Sequence, residues 1–360
     1  MSSKYMILYD ILKKNIISYI EQGVNQLPAE RELCKIYAVS RQTVRNALKL
    51  LEDEGIIKRV GGSGAYITGI IPGVLSNNIA LLISSKTDYL YPDHISRLEN
   101  AFSNLGFKLN VYITAYDSAV ERTILSDILI DPPRGIIVEP IHSAMPTPNY
   151  DLYQKLSTKK IPLLFINGYY NNITDSIYIK EDAYRGANLI GNYLLSLTHK
   201  KIAGIFQVDT ISGHEKYLGL SRALIDSSIN FSDKDVFWFN FSELINLRQK
   251  NDTRFLLNLI SKNLMSYTAV VCQNDEIAYW LIKELDLAHI SVPTDISVIS
   301  FDNSYLASLS KQHITSLAVM DSSIEQVIVD KMISIIQGQP AFSSVLPLKI
   351  NYGDTCAALG

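Results

Sequence analysis

Apolar residues near the start of the chain recur with the spacing of an amphipathic helix. Between residues 5 and 21 they return about every 3.6 positions, and Gly23 follows them. The pattern predicts one helix that ends near this glycine. The apolar positions are Ile7, Leu8, Ile11, Leu12, Ile16 and Ile20.

Residues 28–55 predict two more helices, joined by a tight turn at 38–39. Pro28 suits the first turn of one helix, Ser40 is a favourable N-cap for the other, and Gly55 ends it. The inward-facing positions are Leu33, Ile36, Tyr37, Val44, Ala47, Leu48 and Leu51. The other side of the second helix carries Arg41, Gln42, Arg45 and Lys49. Because Arg and Gln pair with guanine and adenine edges, such a face suits the DNA major groove.

Two short strand patterns follow this helix, at 56–60 and 65–68, with the sequence GGSG between them. They predict a hairpin with a glycine-rich tip. Such a tip can approach a phosphate backbone or minor groove closely, and Lys58 and Arg59 add positive charge at its base.

From residue 78 onward, apolar runs alternate with helical patterns, which predicts parallel sheets flanked by helices. Pro72, Gly73, Ser76 and Asn77 mark 71–77 as a linker between residues 1–70, the head, and residues 78–360, the body. Strands are predicted at 79–84, 108–113, 135–139, 163–166, 202–206, 236–239, 269–272 and 296–301. Helices are predicted at 94–105, 118–129, 182–196, 214–226, 253–264 and 275–285. These are too many strands for one tidy sheet, so we expect two lobes divided near 175–182.

Polar side chains gather where the predicted strands end, and ligands of open α/β sheets bind at these ends. Carboxylates and amides bind pairs of hydroxyl groups, and aromatic rings stack on the C–H face of a sugar, so the set suits a neutral polyol. The candidate effector-binding residues are Asp88, Tyr89, Tyr91, Glu139, Asn167, Asp209, Ser212, Lys216, Asn274 and Asp302. Asp and Asn also serve as turn and capping residues, and we expect Asp275 to cap a helix.

The composition is that of a globular chain, with 47% hydrophobic and 19% charged residues. It carries no membrane-length apolar run, and the first 23 residues do not resemble a signal peptide. Three scattered cysteines fit a reducing cytoplasm and not a zinc site or a disulfide framework. No dinucleotide-binding or P-loop motif occurs, so we expect no nucleotide cofactor. The scattered cysteines give no metal site, and we expect no bound metal.

Charge is divided unevenly along the chain. The head carries a net charge of +3 and the remainder −6. A small basic module on an acidic body suggests that only the head meets a polyanion.

The segment LPAERELCKIYAVSRQTVRNALKLLEDEGIIKRVGGSGAYI resembles the winged helix-turn-helix domain of the GntR family of regulators. The resemblance implies an α+β head that contacts double-stranded operator DNA. The DNA-binding candidates are Lys4, Glu30, Arg41, Gln42, Thr43, Arg45, Lys58, Arg59, Gly61 and Gly62. Ala65 replaces the usual threonine of the family's wing, and Gly61 has no side chain to read bases, so we expect wing contacts to the DNA backbone only.

The body resembles the LacI/GalR type of two-lobed, periplasmic-binding-protein-like α/β domain. RGIIVEP, TAVVCQNDEIA and VPTDISVISFDN carry this resemblance. It implies that Asn167, Ser212, Lys216, Asn274 and Asp302 line an effector cleft. Lys216 stands where the family commonly has arginine, and a lysine cannot offer the two-pronged grip of a guanidinium.

A GntR-type head on a LacI-type body implies a sugar-responsive repressor that acts as a homodimer and not as an enzyme. DYLYPDHISRLENA, IVEPIHSAMPTPNYDLY and PLLFINGYY further resemble a repressor whose inducer is L-arabinose. The residue chemistry alone indicates only a small neutral sugar, and another pentose, a hexose or a purine stays open.

Two other classes of function, a transport component and an enzyme, compete with a regulator. A solute-binding transport component is disfavoured by the winged-helix head. A sugar-modifying enzyme could use Glu139, Asp209 and Asp302 as paired carboxylates, but nothing in the sequence sets a separation between two of them.

Overall fold

The computed structural model describes residues 4–21, 24–60, 64–68, 77–262, 264–309, 311–320 and 323–359. Contacts between residues divide the chain into two compact units, Met1–Asn78 with Ile130–Arg134, and Ile79–Leu129 with Gly135–Gly360. The linker predicted at 71–77 lies, except for residue 77, outside the described residues, so its limits stay a prediction. Among the described helices, none is long and apolar enough to cross a membrane.

Among its described residues, the head contains three helices and a two-stranded hairpin. These are α1 (Lys4–Glu21), α2 (Glu30–Ile36), α3 (Arg41–Asp53), β1 (Ile57–Val60) and β2 (Gly64–Ile67). The strands pair antiparallel, and the backbone of the segment before α2 bonds to β2 through Leu27 N to Ala65 O at 2.9 Å. A common apolar core joins the helices to the hairpin, as predicted for a winged helix. Its largest fully buried side chains are Leu8, Leu12, Ile16, Leu33 and Leu48.

Two details of the predicted α2 are wrong. The helix begins at Glu30 with Ala29 as its N-cap, so Pro28 precedes the helix and does not lie in its first turn. Ile36 is 60% exposed, because the helix has only seven residues and a single position, Leu33, is buried against the core. Ser40 caps α3 as expected, accepting a hydrogen bond from Thr43 N at 3.2 Å.

The body contains twelve strands and ten α-helices among the described residues. The strands are β3 (Asn78–Ile83), β4 (Lys108–Ile113), β5 (Gly135–Val138), β6 (Leu163–Ile166), β7 (Tyr178–Glu181), β8 (Ile202–Gln207), β9 (Val236–Phe239), β10 (Ala269–Cys272), β11 (Ser297–Phe301), β12 (Thr315–Val319), β13 (Ser344–Leu346) and β14 (Leu348–Asn351). The helices are α4 (Tyr91–Asn104), α5 (Ser118–Ile130), α6 (Tyr150–Thr158), α7 (Ala183–Ser196), α8 (Ile211–Asp226), α9 (Phe241–Lys250), α10 (Arg254–Lys262), α11 (Asp275–Leu287), α12 (Tyr305–Leu309) and α13 (Ile324–Ile336).

The strands form two six-stranded sheets, one in each lobe. The first lobe has the order β13-β7-β6-β5-β3-β4, and the second has β14-β12-β11-β10-β8-β9. Strands at the centre of each sheet pair in parallel and are buried along their length, as the continuous apolar runs predicted. At the edge of the second sheet, β14 pairs antiparallel with β12.

The lobes are not consecutive in sequence, unlike the simple division predicted near 175–182. The chain passes to the second lobe after β7, as expected, but it returns later. Helix α13 packs into the core of the first lobe through Ile328, Val329 and Met332, and β13 pairs with β7. The chain then crosses once more into β14 of the second sheet. Three connections therefore join the lobes.

Candidate DNA-binding surface and effector cleft

Helix α3 presents a polar surface opposite its buried side. Arg41, Gln42 and Arg45 are exposed, while Val44, Ala47, Leu48 and Leu51 are buried. Thr43 is half-buried, and its hydroxyl lies 2.8 Å from that of Ser40, so this predicted contact residue is also part of the helix cap. The second helix of the motif thus has the composition and exposure required to enter a major groove.

Neighbouring side chains hold several of these polar groups. Arg45 Nε lies 3.0 Å from Oε2 of Glu30, which brings together two predicted DNA-contact residues. Gln42 Nε2 donates to Asn46 Oδ1 at 3.0 Å. Because the Arg45 pair is exposed, its bonds are worth little and can be exchanged for bonds to DNA.

The described part of the wing places charge beside β1. Lys58 and Arg59 are exposed, and Arg59 Nε lies 2.7 Å from Oε2 of Glu52 on α3. Hydrogen bonds from Arg59 lower the pKa of Glu52. Lys4 is exposed at the start of α1. The remaining two candidates, Gly61 and Gly62, lie outside the described residues.

A cavity of about 580 Å³ lies between the two lobes of the body. Nine of the ten candidate effector residues line it, although they come from widely separated segments. These are Asp88, Tyr89, Tyr91, Glu139, Asn167, Ser212, Lys216, Asn274 and Asp302. The strand-end rule therefore brought together side chains that share one cleft.

Asp209 is the candidate that stands apart from this cavity wall. Its buried carboxylate accepts hydrogen bonds from Phe241 N at 2.9 Å and Gln207 Nε2 at 3.0 Å, and His142 Nδ1 lies 3.4 Å away. Burial opposes ionisation of Asp209, but these hydrogen bonds outweigh it and lower its pKa. The carboxylate is thus occupied in holding backbone and side chains behind the cleft.

On the first-lobe wall, polar groups converge on Glu139 at the end of β5. The Tyr91 hydroxyl and Asn167 Nδ2, at 3.1 Å, both donate to Oε1, while Ser84 N donates to Oε2 at 3.2 Å. Burial, and then the negative charge of Glu139, raise the pKa of Tyr91. The wall therefore offers a fixed carboxylate flanked by an amide and a phenol.

On the second-lobe wall, a buried cation faces carboxylates. Lys216 Nζ donates to Gln273 O at 2.6 Å and lies 4.0 Å from the centroid of the Phe301 ring. Burial lowers the pKa of Lys216 and raises that of Asp302. Asp302 has a φ of 96° directly after β11, a backbone conformation that turns the chain sharply at the cleft.

The expected helix cap at Asp275 is wrong, and Asn274 takes that position. Asn274 Oδ1 accepts from Ile277 N at 3.1 Å at the start of α11. Asp275 is fully buried instead, and its carboxylate accepts from the hydroxyls of Ser300 at 2.5 Å and Ser316 at 2.7 Å. Asp275 therefore ties α11 to the neighbouring strands β11 and β12.

Sequence reasoning missed several charged residues of the cleft, among them Glu181 and Arg248. Glu181 ends β7, a strand that was not predicted, and Arg248 lies on α9, a helix that was not predicted. Burial and then the charge of Asp302 raise the pKa of Glu181 to about 7. The strand-end rule would have selected Glu181 if the short, mixed sequence YIKE had been recognised as a strand.

Comparison with known families agrees with this architecture. Residues 4–67 match the model of bacterial regulatory proteins of the gntR family, and residues 192–356 match that of a periplasmic binding protein-like domain. The chain is therefore a transcription regulator that joins a GntR-type winged-helix DNA-binding domain to a LacI-type effector domain. This confirms the combination expected from the sequence.

Two relatives share most of the chain and carry the same name. The arabinose metabolism transcriptional repressor of Geobacillus stearothermophilus is 28% identical over 354 residues, covering 93% of this chain and 96% of the relative. The protein of that name from Halalkalibacterium halodurans is 28% identical over 319 residues, covering 86% and 84%. Among solved structures, the lac repressor dimer bound to operator matches 79% of this chain and 96% of its own, with a TM-score of 0.65 at 18% identity. That structural match shows the shared fold.

Proposed function

We propose that this chain is a transcriptional repressor that binds operator DNA as a homodimer and is released by a small neutral sugar, L-arabinose. The observation that carries the proposal is the convergence of nine polar candidates from both lobes on one cavity of the body, in a chain that also carries a DNA-binding type of head. The function is binding without turnover, in keeping with relatives that are named as regulators.

The cleft has the chemistry needed for a polyol. Glu139 and Asp302 offer acceptor oxygens, Asn167 and Lys216 offer donors, and Tyr89 and Tyr91 add aromatic surface. A volume of about 580 Å³ falls within the usual range for small-molecule sites. L-arabinose in particular rests on the segments that resemble a repressor of that sugar and on the two relatives named for arabinose metabolism.

Release of the operator follows from the two-lobed body. A sugar that contacts both lobes favours the closed arrangement, and it can shift the protein only by its preference for that state. Two heads of a dimer must match half-sites at a fixed spacing, so a small lobe rotation in each subunit costs DNA affinity. The lac repressor dimer is a structural relative in which a body of this fold accompanies operator binding.

The test combines operator selection with sugar-dependent release. The full chain is used to select binding sites from random duplex DNA, and the selected site is then titrated in gel shifts with L-arabinose, D-xylose, D-ribose and D-galactose. We expect a two-fold symmetric site that is released by L-arabinose alone. Selection of no site would contradict the repressor, whereas a site that L-arabinose fails to release would contradict the inducer.

A further inference from the structure

Arg248 in α9 binds groups that belong to both lobes. Within the second lobe, its Nε lies 2.9 and 3.0 Å from the two carboxylate oxygens of Glu276, and Nη2 lies 2.6 Å from Oε2. Its Nη1 donates across the cleft to Asp88 Oδ2 and to the Tyr116 hydroxyl of the first lobe. A single guanidinium therefore joins the lobes at one edge of the cavity.

These groups are well removed from solvent. The side chains of Arg248, Asp88 and Glu276 are 17%, 10% and 9% exposed. The ring of Phe241, also on α9, packs on Tyr116 with centroids 4.9 Å apart, so apolar contact accompanies the polar one. Charge-assisted hydrogen bonds in such a setting are stronger than those of surface ion pairs.

Arg248 and Asp88, the two charged groups that meet across the cleft, each also bind a side chain of their own lobe. Glu276 pairs with Arg248 within the second lobe, and Tyr116 donates to Asp88 within the first. The bonds across the cleft can therefore break with Arg248 still paired to Glu276 and with Asp88 still accepting a hydrogen bond from Tyr116. This is the requirement for an element with two stable arrangements, because a stranded buried charge would otherwise forbid one of them.

We propose that Arg248 is a positioning residue that latches Asp88 and Tyr116 to the second lobe and so retains the effector in the closed cleft. Asp88 lies beside Tyr89, whose hydroxyl donates to Asp302 in the cavity. Holding Asp88 in place thus fixes the segment that also carries Tyr89 and Tyr91, two further candidate effector contacts. The identity of the effector rests on the proposed function, whereas the latch rests on these contacts.

The principal test is the double variant R248M/E276Q in the full chain, because it removes the latch without stranding Glu276. Two further variants sharpen it. Arg248→Lys keeps the charge but loses the fork that spans both lobes, and Tyr116→Phe removes one hydroxyl while keeping the ring on Phe241. Arg254→Met, at an exposed arginine of the same lobe, is the matched control.

Two readouts are measured on each variant. Without sugar, hydrogen exchange in segments 84–91, 114–117 and 241–250 should be at least tenfold faster in R248M/E276Q than in the wild type or Arg254→Met. With L-arabinose, isothermal titration should give a Kd raised at least tenfold in R248M/E276Q and Arg248→Lys, severalfold in Tyr116→Phe, and within twofold of wild type in the control.

The outcomes separate the latch from the inducer. Wild-type exchange rates in R248M/E276Q would overturn the latch, as would full rescue of both readouts by Arg248→Lys, since charge alone would then suffice. A general increase of exchange across the body would also overturn it, because Arg248 would then serve stability only. If the wild type binds no L-arabinose while the three segments still exchange faster in the variant, the latch stands and the proposed inducer fails.

Discussion

The hydroxyl of Tyr89, in the segment that follows the first strand of the body, donates a hydrogen bond to Oδ2 of Asp302 in the opposite lobe. Both residues line the cavity, and both are candidate effector contacts. An effector that enters here meets a pair already oriented toward each other across the cleft. Their bond can be exchanged for bonds to sugar hydroxyls, which makes Asp302 the most informative position of the cleft.

Replacing Asp302 with Ala should remove induction and leave operator binding intact. The loss of one or two hydrogen bonds to a charged group costs about 1.5–3 kcal/mol each, so the L-arabinose Kd should rise about 10-fold or more. Isothermal titration and operator gel shifts measure the two properties separately. Asp226→Ala, at an exposed position of α8, is the control. Release of the Asp302 variant at wild-type sugar concentrations would show that this part of the cleft is wrongly assigned.

Arg45→Ala should weaken operator binding without affecting sugar binding. Loss of a base-reading arginine costs about 1–3 kcal/mol, or roughly 5- to 150-fold in affinity. Glu30→Ala should weaken operator binding less than Arg45→Ala. It removes the carboxylate that pairs with Arg45 Nε and any DNA contact made by Glu30, but it leaves the arginine in place. Arg185→Ala, on an exposed arginine of the body, supplies the comparison. A normal gel shift with Arg45→Ala would exclude this face of α3 as the reading surface.

Lys216→Met should reduce sugar affinity while keeping the aliphatic stem near Phe301. The variant removes a donor from the cavity and the positive charge that faces Asp302 and Glu181. A loss of about tenfold in L-arabinose affinity is expected from one charged hydrogen bond. An unchanged affinity for L-arabinose would indicate that the ammonium group of Lys216 serves only to bind the carbonyl oxygen of Gln273.

The stability of the body without sugar should fall as the pH rises from about 5 to 8. Burial raises the pKa of Glu181 to about 7 and that of Asp275 to about 6, and it also raises the pKa of Asp302. A carboxyl group whose pKa is raised on folding binds more protons in the folded state than in the unfolded state. The free energy of unfolding therefore decreases as the pH rises from the unfolded pKa through the folded pKa. The positive charge of Lys216 lowers the pKa of Glu181, but burial outweighs this effect and the pKa stays raised.

Glu181→Gln isolates one part of this dependence. At pH 8 the variant should unfold at a temperature at least about 2 °C above the wild type, and near pH 4.5 the two should agree. Tryptophan fluorescence measures the transition, because both tryptophans, Trp238 and Trp280, lie in the body. Equal midpoints at pH 8 would show that the Glu181 carboxylate bears no cost of burial.

Sequence patterns predicted best where one physical factor decided the outcome. The eight strands expected in the body occur within one residue at each end, since buried parallel strands require continuous apolar runs. The other four body strands are short or mixed: YIKE of β7 alternates poorly, and SVL of β13 is only three residues long. Such strands depend on pairing with a neighbouring strand more than on their own sequence pattern.

The sequence predicted which residues line the site better than it predicted their hydrogen-bond partners. Strand ends placed nine residues on one cavity, but the roles of adjacent residues depended on tertiary contacts. Asn274 and Asp275 are equally good caps in isolation, and the serines of β11 and β12 decide that Asp275 is buried. Arg248 escaped detection because its partners lie on segments far apart in sequence.

The most direct measurement is isothermal titration of the full chain with L-arabinose, beside D-xylose, D-ribose and D-galactose. We expect saturable heat with L-arabinose alone, with one site per chain. We also expect Asp302→Ala to abolish or strongly weaken that heat. No heat with any of the four sugars would contradict the proposed inducer and direct the search to phosphorylated sugars, disaccharides and nucleosides.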